Sequence, residues 1–228
     1  MAAERIIGVL FDWDGVLLDS LGAACNVYNK IFAKRGMRTI TRDEYLELQS
    51  PNWYEFYTKV RLPESQWDEV DREWLLVYAE ERPGLHSDAL RCLVALKEAG
   101  LKMALVSNGS EARVEAEVAK FGLGWFFDAV LFGVKREELK PSPAMIQKAL
   151  VALAVGPGDA VYVGDSPADV QAAKNARVRS IAIARGRIEA ERLAREEPDR
   201  LFAGLDEAAN FVLETRAPPG GVGRITES

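Results

Sequence analysis

Apolar residues along this chain fall into two patterns that alternate. Residues 6–11 (IIGVLF) form a short apolar run, as do 103–106 (MALV), 129–132 (AVLF), 160–163 (AVYV) and 181–184 (IAIA). Runs this short and this continuous suit strands covered on both faces. Between them, residues 87–99, 110–121, 143–154 and 168–176 carry apolar side chains at helical spacing, with Gly100 and Gly122 placed as helix stops. A short strand near 201–203 and a helix over 206–214 complete the series. Strands alternating with helices predict βαβ units. The expected fold is therefore α/β, a Rossmann-like parallel sheet with helices on both faces.

One stretch breaks the rhythm. Residues 21–82 hold no convincing strand, and their spacing predicts helices at 22–35, 42–48, 53–59 and 66–81. Three of the five tryptophans and five of the six tyrosines lie there. Such a segment reads as a small helical domain inserted after the first strand, with most of its aromatics packing its own core. The main domain is then 1–20 plus 83–216. Residues 217–228 (APPGGVGRITES) carry too little apolar surface to fold and are expected to be a flexible tail.

Composition narrows the function class. The 228 residues are 48% hydrophobic and 28% charged, as in an ordinary globular protein, and the net charge of −6 disfavours a nucleic-acid or anionic-membrane binder. No run resembles a signal peptide or a membrane span, so a cytoplasmic location is expected, as a monomer or homodimer. Cys25 and Cys92 lack metal-ligand spacing and read as buried thiols. His86 is the only histidine, which excludes any two-histidine mechanism. It stands before a helix of the main domain and reads as a structural or hinge residue. The charged stretch 185–200 reads as a solvated helix face.

In open parallel sheets, ligands bind beyond the carboxyl ends of the strands. There the sequence places Asp12-Trp13-Asp14-Gly15, then Ser107-Asn108-Gly109, then Lys140-Pro141 in a loop, then Gly164-Asp165-Ser166-Pro167-Ala168-Asp169. Taken singly these are unremarkable: an aspartate pair can cap a helix, an SNG can turn, a lysine can sit on the surface. Their order at successive strand ends is what carries information.

These residues resemble the four motifs of the haloacid dehalogenase superfamily, from residue 7 to about residue 186, and the insert is similar to its C1-type cap. The nearest likeness is to the phosphoglycolate-phosphatase-like branch. The resemblance implies a Mg2+-dependent phosphatase acting on a small phosphorylated metabolite, phosphoglycolate-like or a sugar phosphate. Asp12 would be the nucleophile that forms an aspartyl-phosphate, and Asp14 the general acid and base, a role that calls for a raised pKa. Ser107, Asn108 and Lys140 would hold the phosphate. Asp12, the main-chain carbonyl of Asp14 and Asp165 would hold the metal, with Asp169, one helical turn on, supporting these ligands from behind or acting through a water. The segment Ser107–Ser110 also resembles true dehalogenases, but those lack an acid at the place of Asp14 and use no magnesium. Phosphomutases carry a glutamate where Gly164 stands, and phosphonatases need a cap lysine, for which Lys59 is the candidate. A non-enzymatic receiver-like acidic pocket is the alternative of a different class. Discrimination among substrates is expected from residues 49–54 of the insert, chiefly Asn52 and Trp53, with Lys59 and Arg61 adding charge for an acidic substrate.

Overall fold

A computed structural model describes residues 5–50, 53–133 and 135–216. The chain opens on β1 (Gly8–Phe11), and the insert follows as α1 (Leu21–Lys34), α2 (Arg42–Leu48), α3 (Trp53–Lys59) and α4 (Trp67–Glu81). The main body resumes with α5 (Ala89–Glu98), β2 (Lys102–Ser107), α6 (Glu111–Lys120) and β3 (Ala129–Phe132). It closes with α7 (Ala144–Leu153), β4 (Ala160–Gly164), α8 (Pro167–Asn175), β5 (Arg179–Ile183), α9 (Arg187–Ala194), β6 (Arg200–Phe202) and α10 (Leu205–Thr215). The six strands form one parallel sheet in the order β3-β2-β1-β4-β5-β6. This is the expected α/β, Rossmann-like architecture.

The apolar runs split between the two faces of the sheet with period two. Val9, Phe11, Met103, Leu105, Val161 and Val163 face one layer, where they pack against α5, α6 and α10. Leu10, Ala104, Val106 and Tyr162 face the other, against α7 and α8. Asp88, just before α5, ties this body together. Its carboxylate accepts from the Leu205 amide at 2.8 Å and from both Arg185 nitrogens at 3.0 and 2.9 Å. The insert has a separate apolar cluster built on Val27, Tyr28, Ile31, Phe32, Phe56 and Tyr57.

Two expectations shift. The first strand begins at Gly8, because Ile6 instead makes an isolated bridge to Arg216. The stretch 185–200 does contain a helix, α9, but its surface is not wholly solvated. Glu189 is buried and accepts a salt bridge from Arg42 of the insert at 3.2 Å. Residues 217–228 and Asn52 lie outside the described residues. Among the described residues no helix is long and apolar enough to cross a membrane.

Candidate active site

The sheet order puts β2, β1 and β4 side by side at its centre, and their carboxyl ends align: Phe11 is level with Leu105 on one side and Val163 on the other. Residues just past those ends therefore meet. The Asp12 amide still bonds to Val163 O at 2.9 Å, which fixes the aspartate to the end of β4. Beyond Asp12 the chain turns tightly, with Leu17 and Leu18 both bonded back to Trp13 O, so Asp14 stays near Asp12. His86 clasps this turn, its Nε2 3.1 Å from Gly15 O. That is the structural role expected of it.

Lys140 is the hub. Its ammonium lies 2.7 Å from Asp12 Oδ1 and 2.7 Å from Asp169 Oδ1, and donates to the Tyr162 hydroxyl at 3.0 Å. It is 4% exposed, and a cation so enclosed persists only because carboxylates surround it. Asp169 is fixed from its other side. Ser166 caps α8 and forms a capping box with Asp169, whose Oδ2 accepts the Ser166 amide at 3.0 Å and hydroxyl at 2.5 Å. Both Asp169 oxygens are thus taken by protein donors, which fits a supporting place rather than direct ligation.

Oxygens of Asp12, Asp165 and Asp169 all lie within 4.8 Å of one another. Three carboxylates thus face a single buried lysine. Burial lifts the Asp12 carboxyl to about 7, with Lys140 opposing and Asp169 adding to the rise. Burial likewise pushes Asp165 well above the ordinary range, helped by Asp169 and Asp12. The site lacks positive charge for its acids, the condition that a bound divalent cation relieves.

On the β2 side, Ser107 is fully buried and its Oγ accepts the Gly109 amide at 2.9 Å. Asn108 accepts the Lys140 amide at 2.9 Å, while its Nδ2 is buried without a partner among the described residues. A buried amide donor left open at such a place suits an anion's oxygen.

Asp14 departs from expectation. Burial alone would raise its pKa, but the Arg113 guanidinium overcomes that and holds the carboxyl below its ordinary value. Arg113 grips both Asp14 oxygens, at 3.0 and 2.5 Å. A raised pKa had been expected from the neighbouring carboxylates; an arginine from α6 reverses the sign. Sequence reasoning passed over Arg113, whose only signal was its i, i+4 spacing to Glu117.

A cavity of about 670 Å3 separates these groups from the insert. Trp53 and Lys59 line it, as do Tyr45 from α2 and Arg192 from α9, the last two not anticipated. Lys59 donates to Leu48 O at 3.2 Å. Arg61 is exposed just past α3 and is not among the described lining residues, so the structure does not bring it to the site.

The chain is similar to known proteins over most of its length. Residues 9–183 match the sequence profile of haloacid dehalogenase-like hydrolases. Pyrophosphatase PpaX of Bacillus velezensis is 26% identical over 210 residues, covering 91% of this chain and 96% of the relative. Phosphoglycolate phosphatase of Neisseria gonorrhoeae is 25% identical over 230 residues, covering 90% and 93%. The crystal structure of CbbY from Rhodobacter sphaeroides in complex with phosphate superposes with a TM-score of 0.74 at 28% identity, covering 89% of this chain and 96% of that one.

Proposed function

Because the chain belongs to the haloacid dehalogenase-like hydrolase family, we propose that it is a magnesium-dependent phosphatase that hydrolyses a small phosphorylated metabolite through an aspartyl-phosphate on Asp12. The observation that carries this reading is the placing of Asp12: at the end of the central strand, beside Lys140, two residues before a second acid and near a third. Lys140 keeps one Asp12 oxygen engaged and leaves the other to attack phosphorus in line. As the P–O bond breaks, Asp14 gives its proton to the leaving oxygen. Water then attacks the aspartyl-phosphate and returns a proton to Asp14, releasing phosphate and restoring Asp12.

The Arg113 pair keeps Asp14 as the carboxylate, the form that receives the proton from water. An arriving phosphate dianion opposes that charge and favours the protonated form required for the first step. Asp12, Asp165 and the Asp14 main-chain carbonyl are the ligands we assign to Mg2+, which when bound neutralises the phosphate oxygens. Ser107 and Asn108 would orient those oxygens. Asp169, its oxygens occupied, steadies Lys140 and the metal's surroundings.

The insert, residues 21–82, acts on this reading as a cap over the cavity, and Trp53 and Lys59 contact the body of the substrate. A phosphomutase is the weaker reading. A Cβ at Gly164 would collide with Asp169, so no acidic side chain fits just before Asp165.

The test is phosphate release from a panel holding phosphoglycolate, pyrophosphate, sugar phosphates and p-nitrophenyl phosphate, with Mg2+ and with EDTA. Release that needs Mg2+ is expected. Full turnover in EDTA, or no release from any member, overturns the proposal.

A further inference from the structure

Arg113 has one neighbour that matters chemically and several that hold it there. Its side chain is only 13% exposed, although it stands in the first turn of α6, where the helix dipole disfavours a cation. Its two terminal nitrogens grip Asp14 as a fork. One of them also reaches Glu117 Oε2 at 3.1 Å, and that same oxygen accepts the Trp13 indole N–H at 2.6 Å. Glu117 thus pins the guanidinium against the peptide segment that bears Asp14. From the insert, the Tyr78 ring lies 5.1 Å from the guanidinium carbon and the Trp74 ring 6.0 Å. Beneath, a Cβ on Gly109 would collide with it.

A planar fork seated on several sides fixes both the position and the rotation of the carboxylate it holds. Asp14 borders the cavity with its side chain 35% exposed, and Arg113 is the cation that holds both of its oxygens. We propose that Arg113 is a positioning residue for Asp14, and that it transmits the seating of α4 to the acid–base group. The proposal rests on the reading of Asp14 as the group that passes a proton to the leaving oxygen.

Leaving groups separate this role from a structural one. The value of kcat/KM reports events up to P–O cleavage. An alkyl alcohol needs a proton as it departs, whereas p-nitrophenolate does not. Arg113→Met should lower kcat/KM for the best alkyl phosphate of the panel by roughly ten- to a hundredfold, and for p-nitrophenyl phosphate by less than about threefold. Arg113→Lys should recover part of the loss, and Glu117→Gln should show the same pattern more weakly in a chain that keeps its arginine. In an Asp14→Asn background, Arg113→Met should add nothing further. Equal losses on both substrates, or an undiminished effect in the Asp14→Asn background, overturn the positioning role. If Asp14→Asn itself lowers kcat/KM equally for the alkyl phosphate and for p-nitrophenyl phosphate, the acid–base reading of Asp14 falls first and takes this proposal with it.

Discussion

Gly15 abuts Asp165 so closely that a methyl group on the glycine would collide with the aspartate's carboxylate. Its φ of +79° is a second reason for glycine there. Gly15→Ala should therefore cost about 1 kcal/mol in stability and, more tellingly, displace Asp165. Calorimetric titration should show weaker Mg2+ binding. Unchanged affinity in a folded variant would remove Asp165 from the proposed ligand set.

Asp12→Asn keeps the shape of the side chain but cannot form an acyl phosphate. Turnover should fall to background, and acid quenching followed by mass measurement should find no phosphoryl adduct. An adduct in that variant would move the nucleophile to another residue.

The raised pKa of Asp12 has a sign that can be checked. Folded, the carboxyl holds its proton up to about 7; its ordinary value is 3.8. Between those values the folded chain carries a proton that the unfolded chain has released, so metal-free stability falls as pH rises through that window. On the proposed ligand set, binding of Mg2+ would displace the proton. Its increment in Tm should be larger at pH 8 than at pH 5, and equal increments would contradict the assignment.

Asp88→Ala leaves the Leu205 amide and the Arg185 fork without their common acceptor. A loss of about 3 kcal/mol is expected in denaturant unfolding. A loss below about 1 kcal/mol would mean that this junction is solvated in solution.

Trp53→Ala removes an aromatic wall of the cavity away from the four strand-end motifs. Preference among phosphorylated substrates should change while Mg2+ affinity stays the same. A substrate profile identical to that of the parent would rule out Trp53 as a reader.

The parts of the site that could be read from the chain share a cause. Asp12, Ser107, Lys140 and Asp165 lie at the ends of strands or just before helices, places that apolar periodicity locates. Arg113 was not legible because its meaning arises from a contact with a residue 99 positions away. Within EARVEAEVAK it looks like any charge on a solvated face. Arg192 and Tyr45 were missed for the same reason: which side of a helix meets the cavity depends on how the insert sits over the sheet. The direction of the Asp14 shift failed with Arg113, since the sign of the shift is the balance between burial and the charges at hand, and here the arginine outweighs burial. Short 3-10 turns such as Glu64–Gln66 carry no periodicity to read.

The chain leaves the main body and returns to it at almost the same place. Leu18 bridges Leu85 in antiparallel fashion, the Asp19 amide bonds to Gly84 O at 2.9 Å, and the His86 amide bonds to Leu17 O at 3.0 Å. The main chain therefore enters and leaves the insert at two neighbouring points. Such a junction leaves the insert's side-chain contacts, Arg42 with Glu189 and the Tyr78 ring with Arg113, to set how its helices rest over the strand ends. A graft of another insert would therefore have to carry these contacts with it.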